Sequence, residues 1–166
     1  TLPEGTDTAL SVDFVVDGVG ARRVSVNALP ASRSGVLTAR SIRAVSGEAD
    51  CWVVALGTND INSGVTTPTR ARATIAEMLA EIPTPARVWW VNVDFRSIEG
   101  AALDYPAITQ MFNAALSQRD AADARFRVID WYTLAESHPE WFLDAVHVNS
   151  AGYTARAAQV IDVIRR

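Results

Sequence analysis

The chain contains no lysine: all 15 of its basic residues are arginine. Chemistry built on a lysine amine, whether a Schiff base, a phosphate-loop lysine or a Ser-Lys dyad, is therefore excluded. Cysteine is almost absent too. The single Cys51 permits no intrachain disulfide and no thiolate cluster, and the two histidines, His138 and His147, lack the spacing of a zinc-binding helix, so no dedicated metal is expected. No apolar run approaches the ~18 residues that span a bilayer, so no transmembrane segment is expected, and residues 1–4 do not read as a signal peptide. The compartment stays open between secreted and cytoplasmic. Positive charge is also short. With a net charge of -4 and a pI near 5.1, nothing draws the chain to a phosphate backbone, and nucleic acid is not an expected partner.

What is present suffices for one domain with a sizeable core: 166 residues, 49% hydrophobic and 20% charged. Residues 51–56 and 88–93 are apolar and rich in Val and Trp, and 126–129 read the same way, as strands covered on both faces do. Residues 22–28 alternate Val24, Val26 and Ala28 with polar positions and predict a further strand. Between the strands, Ile75, Met78, Leu79 and Ile82 recur at helical spacing before Pro83 and Pro85, and Ile108, Met111, Phe112, Ala115 and Leu116 repeat the pattern. A last stripe, Ala157, Val160, Ile161 and Ile164, follows Asn149 or Ser150 as cap. Alternating strands and helices predict a parallel sheet with helices on both faces. The first ten residues hold no apolar strand, so the first strand of such a sheet is expected either upstream of this chain or nowhere.

In open α/β sheets ligands bind beyond the carboxyl ends of the strands, so the residues that leave each strand carry the functional information. Gly57, Thr58, Asn59 and Asp60 follow the strand that starts at Cys51; glycine allows a tight exit, and the asparagine side-chain amide is placed to donate to an oxyanion. The bland reading is a polar turn. Before the last helix stand Asp144, Ala145, Val146 and His147. An aspartate three residues before a histidine can accept the imidazole Nδ1–H and leave Nε2 free as a general base; the bland reading is a surface histidine near a cap. Asp60, Asp94, Asp104 and Asp130 form no spaced pair and read as caps or ligands of backbone N–H groups.

Together, Gly57-Thr58-Asn59-Asp60 resembles the third conserved block of the SGNH (GDSL-type) hydrolase family. Asp144-Ala145-Val146-His147, with Asn149, Gly152 and Tyr153 after it, resembles the fifth. The likeness in order and separation covers nearly the whole chain. It implies a flavodoxin-like three-layer α/β/α sandwich with a mostly parallel sheet, and an esterase or O-acyltransferase acting on small-molecule or glycan esters without a cofactor. His147 would be the base, Asp144 its orienter and Asn59 an oxyanion donor, with the backbone N–H of Ala31 as a second donor where the family has a glycine. Trp141 and Phe142, just before Asp144, are expected to line the acyl pocket.

The family's first block, Gly-Asp-Ser, does not occur in this chain. Its nearest counterpart is Thr6-Asp7-Thr8, which puts Thr8 at the nucleophile's position, although its extra methyl restricts χ1. The competing reading of that tripeptide is a cap for a helix starting at Ala9 and Leu10 and including Val12, Phe14 and Val15, with the family's Gly-Asp-Ser then expected upstream of this chain or absent. Two further readings stay open. One is a catalytically degenerate domain that binds an acylated or carbohydrate ligand; the other is a nucleotide or flavin binder on the same fold. Oligomeric state is not legible.

Overall fold

A computed structural model describes residues 4–7, 12–27 and 33–165. The three apolar runs form strands β3 (Cys51–Val54), β4 (Arg87–Val91) and β5 (Phe126–Ile129), paired parallel in the order β3-β4-β5. The register sets Val88 beside Trp52 and Phe126, and Trp90 beside Val54 and Val128. Because side chains alternate across a sheet, these residues share one face.

That face packs against α1 (Gly35–Ser46), α3 (Pro68–Ala80) and α4 (Tyr105–Ala122) in a core that includes Trp52, Trp90, Ile75, Phe112 and Leu116. The opposite face, Val91 and Ile129 with Trp89 at its margin, is covered by α5 (Trp131–Glu136) and α6 (Ser150–Ile164). Two clusters on the two sides of one parallel sheet make a three-layer α/β/α arrangement, the fold class that the sequence predicts. The five longer helices start where the sequence supplies an acceptor: Ser34, Thr67, Asp104, Asp130 and Asn149 each accept a hydrogen bond from a first-turn N–H. On β3 the second face is less well covered, since Cys51 is exposed and Val53 is 42% exposed. No helix among the described residues is long and apolar enough to cross a membrane.

Two expectations about the amino-terminal region are corrected. Residues 4–7 and 12–15 are not the start of a capped helix. They are strands β1 (Glu4–Asp7) and β2 (Val12–Val15), paired antiparallel with Glu4 opposite Val15 and Asp7 opposite Val12. Val12, Phe14, Val15 and Val16 are β-branched or aromatic and suit a pleated surface better than a helix. Residues 22–27 do not join the sheet as a strand. Val24 is fully buried, but its N–H donates to the Asp60 carboxylate at 3.0 and 3.2 Å, and the carbonyls of Arg23 and Val24 accept from Gly35 and Val36 at the start of α1. A side chain and a helix end therefore satisfy the groups that a ladder would have paired.

Candidate active site

The exit from β3 is the first part of the site. Gly57 has φ 134°, and a Cβ there would stand 2.7 Å from Phe112 Cε1 and 2.8 Å from Val93 Cγ2. Only glycine allows the chain to turn so close beneath α4 and the end of β4. The short helix α2 (Thr58–Asn62) starts at once and carries Asn59 and Asp60. Asn59 Nδ2 lies 3.4 Å from the carbonyl of Arg22, a long contact that leaves donor capacity on its NH2 group. Gly57→Ala is expected to destabilise the fold by about 2–4 kcal/mol through strain and overpacking, measured as a lower midpoint in urea unfolding.

Asp60, next to it, is 5% exposed and serves the fold. Burial pushes its carboxyl up to about 6, against the smaller opposing effect of the Val24 N–H. Its folded value lies above the unfolded one, so its contribution to stability is complete below pH ~4 and is lost as the pH rises through about 6. Across pH 4 to 7.5 the loss is of order 2 kcal/mol. Asp60→Asn keeps an acceptor for Val24 but carries no titrating group. In urea titrations at the two ends of that range, wild type is expected to lose that stability relative to the variant.

The second part is the loop between the 3₁₀ turn Pro139–Trp141 and α6. Phe142 and Val148 form an antiparallel bridge, the Leu143 N–H donates to the His147 carbonyl at 2.8 Å, and the Asn149 N–H donates to Trp141 at 2.7 Å. Inside this closed loop Asp144 Oδ1 accepts from the N–H groups of Val146 (2.8 Å) and His147 (2.7 Å). Its Oδ2 lies 2.7 Å from His147 Nδ1, a hydrogen bond that the ring N–H donates. These two backbone donors, with the imidazole third, hold the Asp144 carboxyl down at about 2. The carboxylate thus stays charged at any working pH, and His147 Nε2 is left free. The imidazole is 67% exposed and open to a ligand.

The loop is braced from outside. The Arg96 N–H donates to Ala145 at 2.9 Å, its guanidinium lies 3.6 Å from the centre of the Phe142 ring, and it bonds Ala135 and Asp94. Trp141 stacks between Trp131 and His138, whose Nδ1 is 2.8 Å from Glu140 Oε1. Trp141 and Phe142 are therefore each engaged with neighbours that fix the loop. Gly152 lets α6 pack beneath it, since a Cβ there would stand 2.8 Å from Val148 Cβ. Asn113 holds the other wall, bonding both the N–H and the carbonyl of Val93.

The two parts meet. Leu56 and Thr58 from the β3 exit, Val146 and Val148 on either side of His147, and Arg156 of α6 line one cavity of about 40 Å³ at the carboxyl ends of β3 and β4. Asp94 also reaches it; burial raises its carboxyl, and Arg96 opposes the shift. Of the other residues expected from sequence, Thr8 and Ala31 lie outside the described residues. The brace Arg96 and the cavity residue Arg156 were not identified as site residues from the sequence, whereas Asn113 reads there as a satisfied polar residue near the core or a hydrogen-bond partner of a loop, and its bonds to Val93 bear out the latter. For Arg156 the signal was a lone arginine three residues after Tyr153 in an Ala- and Val-rich helix.

A family model, the GDSL-like Lipase/Acylhydrolase family, matches residues 2–155. Among solved structures, a member of the lipolytic protein G-D-S-L family from Veillonella parvula is similar with a TM-score of 0.63 and 23% identity, covering 79% of this chain and 73% of that one. An α/beta hydrolase enzyme, LAE5, from the metagenome of Lake Arreo, Spain, is similar with a TM-score of 0.53 and 20% identity, covering 78% of this chain and 68% of that one. At these identities the structures support the fold alone. No curated protein matches the chain. The family match spans both parts of the site and nearly the full sequence: the chain belongs to the GDSL-like lipase/acylhydrolase family and is an esterase-type hydrolase with an α/β fold.

Proposed function

We propose that the protein cleaves an ester by nucleophilic acyl transfer, with His147 as general base, Asp144 as its orienting group and Asn59 as an oxyanion donor. The observation that carries this reading is the Asp144 carboxylate 2.7 Å from His147 Nδ1 while its other oxygen is saturated by backbone N–H groups. That geometry fixes the ring tautomer and leaves Nε2 open to take a proton from a hydroxyl. The nucleophile oxygen attacks the ester carbonyl as its proton moves to Nε2. The tetrahedral oxyanion is held by the Asn59 amide and by the backbone N–H of Ala31, and the proton then passes to the leaving alkoxide. Water repeats the sequence on the acyl-enzyme, or an alcohol does so in transfer. Thr8 is the hydroxyl assigned to attack on the strength of its place in Thr6-Asp7-Thr8. Trp141 and Phe142 position the loop and leave its outer surface to the acyl group.

The test is turnover of p-nitrophenyl acetate beside the equivalent anilide. Ester hydrolysis that Asn59→Ala slows by about 10²–10³ in kcat with little change in KM supports the assignment. Retention of full kcat in that variant removes Asn59 from the mechanism. A domain that only binds its ligand gives no turnover of either compound.

A further inference from the structure

The cavity at the carboxyl ends of β3 and β4 holds a cation that the mechanism above does not use. Arg156 sits half-buried on α6, with its guanidinium 5.8 Å from the Trp131 ring centre and 5.2 Å from that of Tyr153. Both aromatic faces attract a cation, but neither supplies a counter-charge. Among the described residues Arg156 forms no ion pair. The carboxylate on the same cavity wall, Asp94, is paired with Arg96 instead, at 3.3 Å. Burial accordingly lowers the guanidinium from its ordinary range.

A desolvated guanidinium without a carboxylate is costly unless an anion completes it. The cavity has the room: about 40 Å³, a few times the ~10–15 Å³ that one water needs. We propose that Arg156 is a specificity residue that binds a carboxylate carried by the ester substrate, so that the enzyme prefers acidic esters over neutral ones. A planar guanidinium matches a carboxylate in shape, and a single positive charge with Asp94 close by suits a monoanion better than a phosphate dianion. The cavity lies at the carboxyl ends of β3 and β4, with Val146 and Val148 of the His147 loop in its wall. This inference rests on the reading of His147 as the base in its statement about turnover, but not in its statement about binding.

Two measurements separate the two. The first compares kcat/KM for p-nitrophenyl acetate and p-nitrophenyl hydrogen succinate in wild type, Arg156→Gln and Arg156→Lys. The glutamine variant is expected to lose ~10–100-fold on the acidic ester and under about twofold on the neutral one, with the lysine variant between. Equal losses on both esters would mean that Arg156 merely packs the helix, and would overturn the proposal. The second measurement needs no turnover. Succinate, succinamide and inorganic phosphate are titrated against the full chain by tryptophan fluorescence, Trp131 lying beside the guanidinium. Saturable binding of succinate in preference to the other two, lost in Arg156→Gln and retained in part by Arg156→Lys, supports the site even if no ester is cleaved. Succinate that fails to bind, that binds the glutamine variant as well, or that binds more weakly than phosphate overturns it.

Discussion

Replacing His147 by alanine is expected to lower kcat/KM for an aryl ester by about 10³–10⁴ while leaving the fold intact. The two effects separate because of where the ring lies. Its side chain is 67% exposed, whereas the loop is closed by the backbone of His147, which accepts from Leu143 and donates to Asp144. Alanine keeps both backbone bonds. The change in unfolding free energy should stay within about 0.5 kcal/mol, as for an exposed position, so urea unfolding beside steady-state kinetics checks the claim. A loss of activity accompanied by an equal loss of folded protein would assign His147 to structure instead.

Asp144→Asn should cost about 10²–10⁴ in kcat, for a different reason. Asparagine retains an acceptor oxygen for the Val146 and His147 N–H groups, so the turn survives. Opposite Nδ1, however, it sets an NH2 group where the carboxylate was. The ring must then present a bare Nδ1 and carry its proton on Nε2, the nitrogen that has to accept one from the nucleophile. Asp144→Ala adds the loss of the two backbone bonds and should also loosen the loop. Because the two residues act as a unit, the double variant of His147→Ala with Asp144→Asn should be no slower than His147→Ala alone. Additive losses, measured in the same kinetic assay, would show that the two side chains act separately.

The legible part of this protein was the part encoded locally. Strands β3, β4 and β5 stand out as short runs rich in Val, Ile, Trp and Phe because they lie in or near packed layers, interrupted only where an arginine, Arg87 or Arg127, reaches the exposed side. Asp144 and His147 were legible because three residues of one loop hold the whole pair. The amino-terminal region was not. Val24 and Val26 alternate like a strand, but alternation records only that Val24 is buried. It does not tell a neighbouring strand from the Asp60 side chain and the start of α1, which lie 36 and 12 residues away. The β1–β2 pair was masked in the same way, since its residues offer apolar positions compatible with a helix, and pairing of Glu4 with Val15 settles the matter only in three dimensions. Arg96 and Arg156 show the same limit on the functional side. Their roles come from Phe142, Ala145, Trp131 and Tyr153, contacts that no local spacing records except for the step from Tyr153 to Arg156.

The central claim is that His147, oriented by Asp144, activates a hydroxyl for attack on an acyl carbonyl. Fluorophosphonate labelling, followed by intact mass and peptide mapping, tests it most directly because the probe reports activation of the hydroxyl without requiring the natural ester. The account predicts one label per chain on wild type, on a Ser or Thr hydroxyl, formed at least tenfold more slowly in His147→Ala. No label on wild type, or the same rate in His147→Ala, would contradict it.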